Sequence, residues 1–238
     1  MLTFGSLFAG IGGFDLGFER AGMACKWQVE IDNYATKVLA KHWPNVHRER
    51  DIRECGKHNL ERVDVICGGF PCQDISYAGQ GAGLDGERSG LFFESVRVVR
   101  ELRPRIVVLE NVAALLTRGL GRVLGTLAEI GYDAEWHCIP AAAVGAPHAR
   151  DRVWIVAYTP SKRLEGWSSP ISTRTAQRSI ASRAFSAGAS WPDAPGFPRV
   201  GYGLSDWVDR IRGLGNAVVP QVAEWIGRRI VEALAGDQ

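Results

Sequence analysis

Along the chain, short, mainly apolar runs alternate with longer stretches in which apolar residues recur every three to four positions. The runs Leu2 to Ala9, Ala24 to Ile31, Val63 to Cys67 and Arg105 to Leu109 have the length and apolar content of buried strands. Between them, Phe14 to Ala21, Tyr34 to His42 and Leu91 to Leu102 show helical character, with Asn33 expected to cap the second and Trp43-Pro44 to stop it. A short third strand is expected to end at Asp51-Ile52. Leu116 to Ile130 reads as a further helix stopped by Gly131, and Tyr132 to Ile139 and Val153 to Tyr158 as a pair of strands. A last helix, Gln221 to Ala235, carries Val222, Trp225, Ile226, Ile230 and Leu234 on one face. This alternation predicts an α/β, Rossmann-like architecture, a mostly parallel twisted sheet with its ligands at the C-terminal ends of the strands.

One region breaks the alternation. From Thr159 to Arg212 the sequence turns to Ser, Pro and Arg, and residues 160 to 200 hold six basic residues against two acids. A basic stretch of this kind suits a phosphate-facing surface as well as it suits a solvated loop. The expected division is therefore residues 1–158, a small region 159–212, and a segment 213–238 returning to the first part. Composition adds mainly exclusions. With 46% hydrophobic and 23% charged residues the chain reads as a globular enzyme, and its net charge of +2 decides nothing about partners. No apolar run approaches the roughly 18 residues of a membrane span, and the first residues lack a signal peptide's basic region. Five cysteines without framework spacing argue for a reducing compartment and against disulfides. No Cys/His grouping has zinc-ligand spacing; His137-Cys138 comes nearest and reads as strand. The expectation is a cytoplasmic protein that needs neither metal nor membrane.

The candidate chemistry falls at the strand ends. Phe8-Ala9-Gly10-Ile11-Gly12-Gly13-Phe14 makes a tight strand-to-helix turn where a ligand can approach the backbone and meet unpaired N–H groups. Glu30 closes the second strand, where a carboxylate can accept both ribose hydroxyls of a nucleoside. Asp51 could accept an adenine amino group while Ile52 packs on the ring. Cys72 lies in Gly68-Gly69-Phe70-Pro71-Cys72-Gln73, directly after a strand, a setting that suits a nucleophile. The stretch Gln73 to Gly90 is too long and glycine-rich for a mere connection and suggests a lid. Glu110 ends the fifth strand. Arg150 and Arg152 alternate at strand spacing, which places them on one side. Singly, each acid or arginine could be a solvated loop residue. Together they fall where one crevice collects them.

These blocks, with Glu110-Asn111-Val112, Arg150-Asp151-Arg152 and Gly215-Asn216-Ala217-Val218-Val219-Pro220, resemble the cytosine-C5 DNA methyltransferases, in family order over nearly the whole chain. The resemblance implies the Rossmann-like S-adenosylmethionine-dependent methyltransferase fold, with residues 159–212 as a small target-recognition region. It implies S-adenosylmethionine as donor, S-adenosylhomocysteine as product, no metal, and a cytosine flipped out of double-stranded DNA as acceptor. Cys72, Glu110, Arg150 and Arg152 would be the catalytic set: Cys72 adds to carbon 6, Glu110 holds the N3 and N4 edge, Arg152 the O2 side, and Arg150 the same edge or a phosphate. The donor would meet Phe8, Ala9, Gly10, Ile11, Gly12 and Gly13 at the glycine turn. Glu30, Ile31, Asp51 and Ile52 would take its adenosine, and Gly69, Pro71, Leu91, Asn216 and Ala217 would complete the pocket. Ser76, Arg88, Arg174, Arg178 and Arg183 would contact DNA. Small size adds an association with bacterial or phage restriction-modification systems, hence a cognate restriction enzyme as companion to a monomeric chain.

The sequence departs from the family pattern at Ser6, where an acid is usual, at Ile31, where an aromatic is frequent, and at His148, where Gln is usual. The long block normally found before the final Gly-Asn motif is missing, unless Tyr202 to Leu214 is its remnant. Two other readings compete. One is the tRNA-methylating branch, which shares the cysteine and the glutamate. The other is a catalytically silent DNA-binding protein, against which the intact Cys72, Glu110 and Arg152 argue.

Overall fold

The structure is a computed structural model, and it describes residues 1–71, 90–146, 149–159 and 213–235. Cys72, the stretch 73–89, His148 and the region 160–212, with Ser76, Arg88, Arg174, Arg178 and Arg183, lie outside the described residues.

Strands β1 (Thr3–Leu7), β2 (Ala24–Val29), β3 (His47–Glu49), β4 (Val65–Gly69) and β5 (Ile106–Val112) form the parallel part of one seven-stranded sheet. Strands β6 (Asp133–Pro140) and β7 (Asp151–Tyr158) complete it in the order β3-β2-β1-β4-β5-β7-β6. The last two are antiparallel, β7 to β5 and β6 to β7. The fold is therefore the mostly parallel, Rossmann-like sheet expected. Strand β7 runs back along β5, so its first residues lie beside the last residues of β5: Val112 pairs with Arg152, and Ile106 with Tyr158 at the opposite end.

Alternation along each strand feeds two apolar layers. Leu7, Ile66, Val107, Leu109, Val153 and Ile155 face one side, which helices α3 (Gly90–Leu102) and α5 (Leu120–Glu129) cover through Phe92, Val99, Val123 and Leu127. Phe4, Val65, Cys67, Val108, Trp154 and Val156 face the other, covered by α1 (Gly13–Arg20) and α6 (Pro220–Ala235) through Phe14, Phe18, Val222 and Ile226. With strands buried on both faces, continuous apolar runs are what the sheet requires.

Four expectations are corrected locally. Helix α2 (Asn33–His42) is capped by Asp32, not Asn33: the Asp32 carboxylate accepts from the Ala35 N–H. Strand β3 ends at Glu49, and Asp51 instead caps a single 3-10 turn, Ile52–Glu54. The helix expected over Leu116 to Ile130 is broken at Gly119 into α4 (Leu115–Arg118) and α5. The fifth strand carries on past Leu109, so Glu110 and Asn111 are strand residues with the pairing, and the burial, that this brings.

Candidate active site

A cleft of about 1010 Å³ opens at the C-terminal ends of β1, β2, β4 and β5. The turn after β1 forms its floor. Gly10 and Gly12 adopt φ of 56° and 90°, and Phe8, at 51°, does so against the preference of a side-chain-bearing residue. Gly13 is required by a close approach, since a Cβ there would lie 2.4 Å from the Val218 carbonyl oxygen. That contact seats the C-terminal segment on the turn.

Glu30, just past β2, has its carboxylate fixed by two backbone donors: the Gly10 N–H at 2.7 Å and the Asp32 N–H at 2.8 Å, one on each oxygen. Each oxygen keeps a second acceptor site. Ile31 beside it is 61% exposed and borders the cleft, while Ile52 is buried in the wall. Asp51 is gripped by the Arg53 guanidinium, which, through its hydrogen bonds, holds the carboxyl below the usual carboxylate range. Arg50 also borders this end, bonded to the Ile31 carbonyl, Asn33 Oδ1 and Thr36 Oγ1.

The other end is built on β4, β5 and β7. Glu110 is 8% exposed, and its Oε1 lies 3.0 Å from Arg152 Nε. Burial pushes the Glu110 carboxyl up to about 7, against the opposing pull of Arg152 and then Arg150. At that value the group is a proton donor and a proton acceptor in comparable measure near neutrality. Asn111, next to it and 3% exposed, donates from Nδ2 to the Phe70 carbonyl at 3.0 Å, and its Oδ1 accepts from the Val112 N–H at 2.8 Å. One strand thus carries the acid and the amide that holds the chain as it leaves β4.

Of the residues singled out in the sequence, Phe8, Gly10 and Ile11 border the cleft from the glycine turn, and Glu30, Ile31, Asp51 and Ile52 from the end beyond β2. Gly69, Pro71, Leu91 and Asn216 join them, as do Glu110, Arg150 and Arg152. Ala9, Gly12, Gly13 and Ala217 stand behind this wall: Ala9 donates its N–H to the Val29 carbonyl and accepts that of Gly12. Arg150 departs from simple strand alternation. It precedes β7 with φ of 38°, and its guanidinium donates to the Gly215 and Ala217 carbonyls. Ser6 is fully buried and bonds Asp15, whose carboxyl burial raises to about 6; neither borders the cleft. Sequence reasoning passed over Arg50, Arg53 and Asn33, whose charge and polarity look the same on any solvated loop. It also gave Asn111 no role, because an amide beside a candidate acid does not announce its partner.

The donor set fits a nucleoside-bearing ligand: a fixed carboxylate with acceptor capacity to spare, an exposed apolar face at Ile31, and a wall at Ile52. Among the described residues, no group of three or more His, Cys, Asp and Glu side chains could hold a metal ion, and no helix is long and apolar enough to cross a membrane.

The chain is similar to the type II methyltransferase M.HhaI of Haemophilus parahaemolyticus, with 32% identity over 173 residues, 71% of this chain and 53% of that protein. It is also similar to the type II methyltransferase M.BsuFI of Bacillus subtilis, with 34% identity over 174 residues, 71% of this chain and 42% of that protein. The chain thus spans about half the length of these relatives. Spodoptera frugiperda DNMT2 shares the fold, with a TM-score of 0.57 at 20% identity over 73% of this chain and 53% of that one. A profile described as C-5 cytosine-specific DNA methylase matches residues 2–185, more than three quarters of the sequence, and so the chain belongs to that family.

Proposed function

We propose that the protein is a DNA (cytosine-5)-methyltransferase that takes its methyl group from S-adenosylmethionine. The observation that carries this reading is the Glu110–Arg152 pair, its carboxylate buried, at the cleft and one strand away from the segment that leads into Cys72. Cytosine carbon 5 is too weak a nucleophile to take an alkyl group unaided. Addition of the Cys72 thiolate to carbon 6 shifts an electron pair toward carbon 5 and the N3 edge. Glu110, held near neutrality by burial, supplies a proton or hydrogen bond at N3 and N4 where that charge gathers. Arg152 keeps Glu110 in place and offers its remaining N–H groups to the O2 side. Once carbon 5 carries the methyl group, loss of its proton expels Cys72 and restores the ring.

When bound, S-adenosylmethionine supplies an electrophilic methyl group on a sulfonium. Glu30 accepts the ribose hydroxyls, Ile31 and Ile52 flank the adenine, Asp51 meets its amino group, and the Phe8 to Gly13 turn holds the remainder. A stacked base cannot enter such a cleft, so the target is extruded from the duplex at a cost of a few kcal/mol. Residues 1–158 with 213–238 make the catalytic unit, and 159–212 the target reader, with Ser76, Arg88, Arg174, Arg178 and Arg183 toward DNA. A cognate restriction enzyme and action as a monomer belong to the same proposal.

The test is transfer of label from the donor to duplex DNA and to tRNA, followed by base analysis. We expect 5-methylcytosine in DNA. Label confined to tRNA would transfer the reading to the tRNA branch, and no label in either would leave the silent, DNA-binding alternative.

A further inference from the structure

Arg150 stands out because its guanidinium is engaged by backbone carbonyls of a distant segment. Nη1 donates to the Gly215 carbonyl at 2.7 Å and Nη2 to the Ala217 carbonyl at 2.8 Å, across 65 and 67 residues of sequence. The two bonds bracket Asn216, which borders the cleft. Its own backbone is held as well: φ is 38°, and the Ala141 N–H donates to the Ala149 carbonyl at 2.7 Å and reaches the Arg150 carbonyl at 3.4 Å. A side-chain-bearing residue keeps a left-handed backbone only where its surroundings impose it, and such residues gather at functional sites. Arg150 also sits close enough to Glu110 for its charge to be felt there.

We infer that Arg150 is a positioning residue that latches the 213–217 segment onto the donor side of the cleft, rather than a residue that touches the target base. The inference rests on the donor reading given above and deepens it. The fork geometry is what matters. A guanidinium presents two parallel N–H groups to two separate carbonyls at once, whereas an ammonium is a point charge on a flexible stem. With the carbonyls before and after Asn216 both held, the side chain of Asn216 keeps a fixed place on the wall. Directly after this segment, the Val218 carbonyl packs against Gly13, so the chain is held again one residue past Ala217. Arg150 thus links the two ends of the cleft: it holds the donor wall and lends its charge to the catalytic carboxylate.

Calorimetric titration of the full chain with S-adenosylhomocysteine tests this. Loss of two charge-assisted hydrogen bonds in Arg150→Ala should weaken binding about tenfold or more. Arg150→Lys, which keeps the charge and loses the fork, should weaken it nearly as much. Amide hydrogen exchange in the free protein gives a readout independent of turnover. Residues 213–219 should exchange faster in Arg150→Lys while β4 and β5 are unaltered. Wild-type affinity in Arg150→Lys, or lost turnover with unaltered donor affinity, would overturn the inference alone. No binding of S-adenosylhomocysteine by the wild-type chain would sink the donor reading and the inference with it.

Discussion

At one end of the cleft the Glu30 carboxylate is held by the backbone N–H groups of Gly10 and Asp32; at the other, Glu110 is held by the Arg152 side chain. The first grip belongs to the turns themselves and persists as long as β1 and β2 keep their ends. The second is a largely buried ion pair, with Arg152 still partly exposed, in which desolvation cost and Coulomb gain oppose one another. A backbone-held carboxylate is suited to binding a neutral hydroxyl pair with little change in its own state. A desolvated carboxylate beside a cation is suited to a change of state during reaction, because burial has already brought its two protonation forms close in free energy.

The contrast can be broken most sharply at Glu110. In Glu110→Gln, kcat should fall by about 10² to 10³, the usual loss for a group acting on developing charge. Donor affinity measured by calorimetry should hardly change, and a parallel loss of donor binding would show that the two ends are not separable. The same variant reads the protonation state. The folded carboxyl titrates near 7 and the unfolded one near its ordinary value of 4.5. A raised folded value means stability present below about pH 4.5 that is lost as pH rises through about 7. Relative to Glu110→Gln, wild type should therefore lose on the order of 3 kcal/mol between pH 4 and pH 8, as followed by denaturant melts.

At the other end, Glu30→Gln leaves one of two part-buried N–H donors facing an amide NH₂. Donor binding should weaken about tenfold and stability drop by about 1 to 2 kcal/mol, with kcat at saturating donor nearly kept. A kcat loss as large as that of Glu110→Gln would erase the distinction. The smallest effect is expected at Ile31, 61% exposed on the cleft. Ile31→Trp enlarges the flat apolar surface available to an adenine, and donor affinity should rise about threefold, consistent with about 0.5 to 1.5 kcal/mol for an aromatic pair. Unaltered affinity would remove Ile31 from the adenine subsite.

The part of this arrangement that could be read in the sequence is the part that follows from periodicity and position. Continuous apolar runs such as Ile106 to Leu109 mark strands buried on both faces, and Glu30 and Glu110 fall at or near strand ends, where the crevice lies. What escaped depends on contacts between distant segments. Asn33 and Asp32 are equally good caps on paper; the choice goes to the one whose carboxylate meets the Ala35 N–H. Arg150 and Arg152 look equivalent at strand spacing, yet a left-handed residue before β7 sends one to the C-terminal segment and leaves the other on Glu110. The reversal of β7 was not readable either, since antiparallel and parallel neighbours can share the same apolar pattern.

That reversal also governs how the chain can be re-engineered. Strand β7 begins beside the cleft and ends with Tyr158 opposite Ile106, at the far end of β5, whereas the chain re-enters the described structure at Gly213 on the cleft itself. The two stubs of residues 160–212 are thus separated by the length of the sheet, about 20 Å for six strand steps. A replacement segment therefore has to bridge at least that distance, about six fully extended residues and more on any curved route. Trimming this region to a tight turn would pull α6 and the latch at Gly215 and Ala217 out of place, while swapping in a longer segment from another source leaves both stubs where they are.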